Sequence, residues 1–220
     1  LLDYAATQYP ALRLHLSVQA SAAHPQALEF YARNFGIYRA VLPRVLTVEQ
    51  IKAVAQAVAI ETEVFVFGGM CPMAEGRCAL SSYATGQSPN TAGVCSPASH
   101  VRYIQAGDEL VARLGDFTIN RFGAGEPSGY PTLCKGRFEA NGRTGYLFED
   151  PVSLDARPLI PELMAAGVRA LKIEGRQRGR AYIAETVAAL RQAVDDAAAG
   201  RPSPPGAALT GVSEGGRQTG

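Results

Sequence analysis

Four cysteines, Cys71, Cys78, Cys95 and Cys134, are the residues of this 220-residue chain whose type and spacing point most directly to chemistry. Six, sixteen and thirty-eight residues separate them in turn. Three readings of such a set compete. Thiols can pack as small hydrophobes. They can close two disulfides, which suits a small secreted domain better than an α/β chain with a core of its own. Or they can bind metal. Structural zinc sites pair their ligands in Cys-x2-4-Cys knuckles, and no such pair exists here. An iron–sulfur cube takes four thiolates from scattered loops, because the cluster itself bridges the distance. Gly68 and Gly69 precede Cys71, Gly76 precedes Cys78 and Gly93 precedes Cys95. Glycine permits the close approach and positive φ that loops around a cluster often need. Spacing and context favour an iron–sulfur cluster, with zinc, disulfides and unligated thiols as the alternatives.

Other residues could serve a substrate. Four thiolates hold all four irons of a cube, so a chemical step would need groups beyond the cysteines. His15 and Gln19 lie an even number of positions apart on an alternating stretch, which puts them on one strand face; a hydrogen-bonded core histidine is the competing account. Glu174 falls at the C-terminal end of a strand, where barrels place catalytic groups. It sits in the most basic stretch of the chain, with Arg169, Lys172, Arg176, Arg178 and Arg180. Arg176 and its neighbours could clamp a dicarboxylate, since guanidinium forks grip carboxylates bidentately. A solvated helix start with a salt bridge from Glu174 explains the same residues. Lys135 and Arg137 follow Cys134 and could tune a cluster's potential, or lie on a solvated loop. Glu63, at the start of its strand, reads as a structural ion pair or cap; His24 and His100 read as structural.

The elements that must position these groups alternate strand with helix. Residues 14–19 alternate with period two. Leu28, Tyr31, Ala32 and Phe35 share a helical face ended by Gly36. Residues 39–42 form a short strand, and Thr47 with Gln50 makes a capping box for a helix striped by Val48, Ile51, Ala55 and Val58. Residues 64–67 are apolar on both faces, as a covered parallel strand is. After a long interruption come a strand at 146–148, a helix at 159–164, a strand at 170–173 and a helix lined by Ile183, Val187, Leu190 and Val194. About five such units fall short of the eight of a closed barrel. The expectation is an α/β fold: a TIM-barrel-like parallel barrel over residues 1–200 with N-terminal strands missing. An irregular cysteine-bearing insertion lies within 63–137, and 201–220 is a disordered tail.

Composition sets the outer bounds. Hydrophobic residues make up 47% and charged residues 19%, which excludes a chain disordered throughout. Twenty-one basic against twenty acidic residues leave +1, so no global field draws the chain to nucleic acid or anionic lipid. No run of eighteen apolar residues spans a membrane. No basic segment followed by an apolar stretch marks a signal peptide, and the expected location is cytoplasmic.

The run from Glu63 to Cys71, followed by Gly76-Arg77-Cys78-Ala79-Leu80-Ser81, resembles the signature of the peptidase U32 family, with Gly69 where serine or alanine is usual. Cys95-Ser96-Pro97, the run from Gly129 to Arg137 and that from Leu171 to Arg178 resemble its UbiU-like branch, which acts in ubiquinone biosynthesis. The resemblance covers residues 14 to 195. It implies a [4Fe-4S] cluster on Cys71, Cys78, Cys95 and Cys134. It also implies a heterodimer with a UbiV-like U32 paralogue and oxygen-independent hydroxylation of the benzoquinone ring. Prephenate would supply the oxygen, and a lipid-carrier protein would present the polyprenyl precursor. Two alternatives stand beside it: hydroxylation of RNA bases, as in other U32 proteins, and a non-catalytic iron–sulfur binding module. Near-neutral charge and the absence of tryptophan argue against nucleic acid. Proteolysis ranks low, because a thiolate bound to iron is not free to attack a peptide.

Overall fold

The computed structural model describes residues 1–150, 153–174 and 179–202. The chain first runs through α1 (Leu2–Gln8), β1 (His15–Leu16), α2 (Pro25–Phe35), β2 (Arg39–Val41), α3 (Val48–Ala57) and β3 (Glu61–Gly69). It continues through α4 (Ala79–Thr85), α5 (Pro89–Ala92), β4 (Val101–Ala106), β5 (Glu109–Leu114), β6 (Phe117–Phe122), β7 (Arg137–Ala140) and β8 (Arg143–Tyr146). Last come β9 (Ser153–Asp155), α6 (Ile160–Ala165), β10 (Ala170–Ile173) and α7 (Arg180–Ala198). Among the described residues two compact units result: Leu1–Gly68 with 154–202, and Gly69–Ser153.

The first unit is a parallel α/β sheet in the order β1-β2-β3-β10, with β9 also paired to β3. Its register sets Arg39 beside Glu61 and Ala170 beside Glu63. One sheet face buries Leu16, Ala40, Leu42, Val64 and Val66 against Leu28, Ile51, Val54, Ile160, Leu163 and Leu190 of the helices. Such burial is the main stabilising term of the unit. Val18, Val41 and Phe65 form a separate small cluster. Charged residues, Arg39, Glu61, Glu63 and Lys172, also stand on β2, β3 and β10. Arg39 Nη2 lies 2.6 Å from Glu61, and Glu63 bonds both Lys172 at 3.0 Å and Arg39 at 3.5 Å. Hydrogen bonds from Tyr38 and Arg39 hold the Glu61 carboxyl below its usual range. Glu63 is the structural ion pair expected of it.

Local signals set the helix limits. Gly36 takes the left-handed conformation and ends α2. Thr47 and Gln50 complete the expected capping box on α3, side chain to backbone in both directions.

Among the described residues the parallel sheet is open, with β1 and β10 as the edges of its main path, and its five strands fall short of the eight of a closed barrel. Four other expectations are corrected. The first strand stops at Leu16, since Ser17 accepts a hydrogen bond from Gln19 N and turns the chain into a 3-10 helix over Val18–Ala20. The interruption between the cysteines is not irregular: β4-β5-β6 form an antiparallel sheet and β7-β8 a hairpin. Residues 147 and 148 therefore follow a hairpin strand and are exposed, outside the parallel sheet. On α7, Leu190 is buried as expected, but Ile183 and Val187 stand 44% and 47% exposed. The expected tail lies outside the described residues from 203 onward. Among the described residues no helix is long and apolar enough to cross a membrane.

Close packing requires glycine at position 68. Gly68, at φ 126°, would place a Cβ 2.6 Å from Glu174 Cβ and 2.9 Å from its carbonyl oxygen. Gly36 also has positive φ but faces open space. Gly68→Ala is expected to lower unfolding free energy by about 2–4 kcal/mol, strain plus overpacking, and Gly36→Ala by about 1 kcal/mol. Urea denaturation of both variants measures the difference, and equal losses would remove the close approach as its cause.

Candidate functional site

All four cysteines belong to the second unit, each on a different local structure. Cys71 follows the end of β3, with its thiol directed at the Met73 carbonyl 3.6 Å away. Cys78 is the N-cap of α4, and its sulfur accepts a hydrogen bond from Ser81 N at 3.4 Å. Cys95 lies just after Gly93, the left-handed C-cap of α5. Cys134 sits in a 3-10 turn, Leu133–Lys135, against which α4 packs. All four are present as thiols, which sets the disulfide alternative aside in this structure.

Polar side chains tie these scattered segments together. Ser81 Oγ donates to the Cys95 carbonyl, joining the second and third cysteine loops. Tyr130 Oη donates to the Ser96 carbonyl at 2.9 Å, joining the third loop to the approach to Cys134. Tyr103, on β4, donates to the Gly129 carbonyl at 3.0 Å, and Glu149 N donates to the Cys134 carbonyl at 3.1 Å. Cys134 is buried, as are Pro131, Thr132 and Lys135 around it. Its thiol is pushed up to about 12, first by burial and next by the charge of Cys95. Lys135 opposes that rise; Cys71 and Cys78 add to it. The four sulfurs therefore share one electrostatic environment. Among the described residues, no group of three or more His, Cys, Asp or Glu is arranged to hold a single metal ion.

The two basic residues after Cys134 separate in role. Lys135 is only 4% exposed and acts electrostatically on Cys134. Arg137 is engaged elsewhere: its guanidinium pairs with Glu126 at 2.9 Å and bonds the Arg121 carbonyl, while its N–H reaches Asn120 Oδ1 at 3.0 Å.

The weaker candidates do not form one constellation. His15 is exposed, its ring stacked near Tyr38 with 6.1 Å between centroids. Gln19 lies in the 3-10 turn, so the shared strand face is lost. Glu174 pairs with Arg44, Oε2 to Nη2 at 2.7 Å, and Arg44 lies over the Phe65 ring at 3.5 Å. This is the salt bridge that competed with a catalytic role, though the partner is new. Arg176 and Arg178 lie outside the described residues, and Lys172 is engaged by Glu63. His24 is the N-cap residue of α2, and His100 Nδ1 lies 3.0 Å from Ser99 Oγ. Sequence reasoning passed over Arg44, although it follows a parallel strand at the same end as Glu174. It also could not place Tyr130, which proves to hold two cysteine loops together.

A model of peptidase family U32 matches residues 1–213. The tRNA hydroxylation protein P of Escherichia coli (strain K12) is 34% identical over 88% of this chain and 46% of its own length. The 23S rRNA 5-hydroxycytidine C2501 synthase of the same organism is 28% identical over 84% of the chain and 24% of its length. A protein named collagenase in Porphyromonas gingivalis is 26% identical over 88% and 43% respectively. The chain thus spans about half the length of these curated relatives or less. No solved structure matches.

The raised thiol has a pH signature. An unfolded Cys134 ionises near 9, whereas the folded one stays protonated to about 12. With the thiols unligated, the unfolded state releases the proton first, so stability falls as pH rises above about 9 and levels off near about 12. Urea unfolding across that range should show the slope, and Cys134→Ser should flatten it.

Proposed function

The chain belongs to peptidase family U32, and from that premise we propose that it is the iron–sulfur-bearing part of an enzyme that hydroxylates a base in RNA. One observation carries the reading: a relative named for tRNA hydroxylation is 34% identical over 88% of the chain. A second relative is named for 5-hydroxycytidine in rRNA, a pyrimidine. The benzoquinone substrate expected from the sequence gives way to RNA on this ground. The UbiV-like partner, the lipid carrier and prephenate belonged to that expectation and are not part of this reading. The motifs behind the UbiU-like resemblance cluster around the cysteines, and such motifs describe what the thiols hold rather than what is oxidised. RNA as substrate keeps the cytoplasmic location.

Net charge argued against nucleic acid, but it sums over the whole surface and does not register a local pair. Arg102 stands directly opposite Arg113 across β4 and β5. Arg113 donates to the Asp116 carbonyl at 2.5 Å, which leaves the exposed Arg102 as the cation of this pair for a phosphate.

The donor set suits a [4Fe-4S] cluster on Cys71, Cys78, Cys95 and Cys134. Cationic iron would offset the burial and the neighbouring sulfur charge that hold the Cys134 thiol protonated. Thiolates on four separate irons need not meet at one point, as a zinc ion at about 2.3 Å from each sulfur would demand. When bound, such a cluster supplies electron transfer and cross-links its loops. The protein's own share is then positional. Ser81 fixes two cysteine loops, Tyr130 a third, and Lys135 adds positive charge beside Cys134. Committing the thiols to iron leaves no cysteine nucleophile for proteolysis. The strands β1-β2-β3-β10 are read as an arc of a parallel barrel, completed by strands in the part of the relatives that this chain does not span.

Protein purified without oxygen should carry about four irons and four sulfides per chain, and Cys134→Ser should lose them. In a strain lacking the activity, the protein should restore a hydroxylated nucleoside in digested RNA, read by mass spectrometry. Zinc in place of iron would overturn the cofactor; RNA with no added oxygen would overturn the substrate. Arg102→Ala should weaken tRNA binding and reduce the salt slope of log K by about 1.

A further inference from the structure

Among the described residues of the second unit, Tyr83 is the most exposed aromatic side chain, with 79% of it facing solvent. It projects from α4, where Ala79 one turn before it and Gly86 just after the helix are also exposed and too small to cover the ring. Behind it stands Phe117, the first residue of β6, with 5.5 Å between the ring centroids. Backbone contacts hold the two rings in place. Gly115, in the turn before β6, has φ 57°, and a Cβ there would collide with the Ala84 carbonyl. Gly115 N also donates to the His100 carbonyl at 2.8 Å. The residue after Tyr83 therefore touches the turn that leads into Phe117.

Cations lie beside this pair. Val101, Leu114 and Phe117 form one row across β4-β5-β6, and Arg102, Arg113 and Thr118 form the next. Arg113 donates to the Asp116 carbonyl, so its guanidinium reaches the same turn. Arg102 is exposed on the sheet face away from Leu114, two strands from β6, or roughly 10 Å at the usual strand spacing.

We propose that Tyr83, backed by Phe117, stacks an unpaired base of the RNA, and that Arg102 takes a phosphate of the same strand; the proposal rests on the RNA-hydroxylase reading. Sequence-reading RNA-binding proteins take single-stranded loops and stack their splayed bases on aromatic rings. Every base has a π-face, so one exposed ring serves many sequences. Ring and arginine together match what a single strand presents, a flat base on an anionic backbone. A duplex keeps its base faces stacked on one another and offers Tyr83 nothing. Position gives the contact its use. Cys78 is the N-cap of α4, five residues before Tyr83, or roughly 8 Å along the helix axis. A base held on Tyr83 fixes the strand beside the cysteine loops of the same unit.

The chain has no tryptophan, so Tyr83→Trp keeps a stacking ring and supplies a single fluorophore at this position. Its emission should be quenched by tRNA and by a single-stranded oligouridylate, but not by heparin, which carries charge without bases. Tyr83→Leu should keep the wild-type melting temperature, because so exposed a ring buries little surface. It should nevertheless weaken tRNA binding about tenfold, while Tyr83→Trp binds as wild type does. The salt slope of log K should be unchanged in Tyr83→Leu, whereas Arg102→Ala lowers it by about 1. Unquenched emission from Tyr83→Trp with tRNA bound, or wild-type affinity of Tyr83→Leu, overturns the stacking assignment. An unchanged slope in Arg102→Ala overturns the phosphate contact. Wild-type protein that binds no RNA overturns instead the reading on which both rest.

Discussion

Sulfur atoms gathered inside a protein oppose one another's ionisation, and the second unit is organised around that constraint. Burial and three neighbouring thiols keep Cys134 protonated far above the range of an ordinary cysteine. Lys135, itself buried, is the main nearby charge that works the other way. Left alone, the arrangement is an electrostatic liability. It becomes an asset once cationic iron is placed among the sulfurs. The surrounding polar bonding ties the loops to one another: Ser81 to Cys78 and Cys95, Tyr130 to Ser96, Tyr103 to Gly129. None of these bonds touches more than one cysteine segment at each end. The loops of Cys78, Cys95 and Cys134 are thus secured pairwise.

The first unit solves a different problem. Its central strand, β3, carries apolar residues toward the helices and charge on alternating positions. Burying carboxylates costs more than hydrophobic packing returns unless they are matched. Glu61 and Glu63 are matched by Arg39 from one neighbouring strand and Lys172 from the other. The same pairings reinforce register, since a slip by one residue would turn the charges into the core. Arg44, 8% exposed, repeats the device at the strand ends by stacking on Phe65 and meeting Glu174.

Much of this was legible in the residues themselves. Gly36, the Thr47–Gln50 box and the doubly apolar run 64–67 act locally, and each appears where its pattern put it. The parallel α/β class followed from their alternation. Non-local features were less readable. Nothing in the sequence states that Arg44 meets Glu174, which lies 130 residues away. The hidden antiparallel strands were a different kind of miss. Gly107-Asp108, Gly115-Asp116 and Asn141-Gly142 are two-residue hairpin signals between strand-like runs, and attention to the cysteines passed over them. For the site, spacing identified the cysteines, but short motifs could not separate quinone from RNA, because the substrate is recognised elsewhere.

Those three tight turns bear on the order in which the protein assembles. Hairpins joined by two residues close within microseconds, because little chain entropy is lost in bringing their strands together. Between Cys95 and Cys134 the chain therefore acquires its β4-β5-β6 architecture early, from neighbours in sequence. The parallel sheet waits on partners such as Glu63 and Lys172, 109 positions apart. On a ribosome, a cradle for two of the four sulfurs can stand before β10 has been synthesised, ready for whatever machinery delivers the metal.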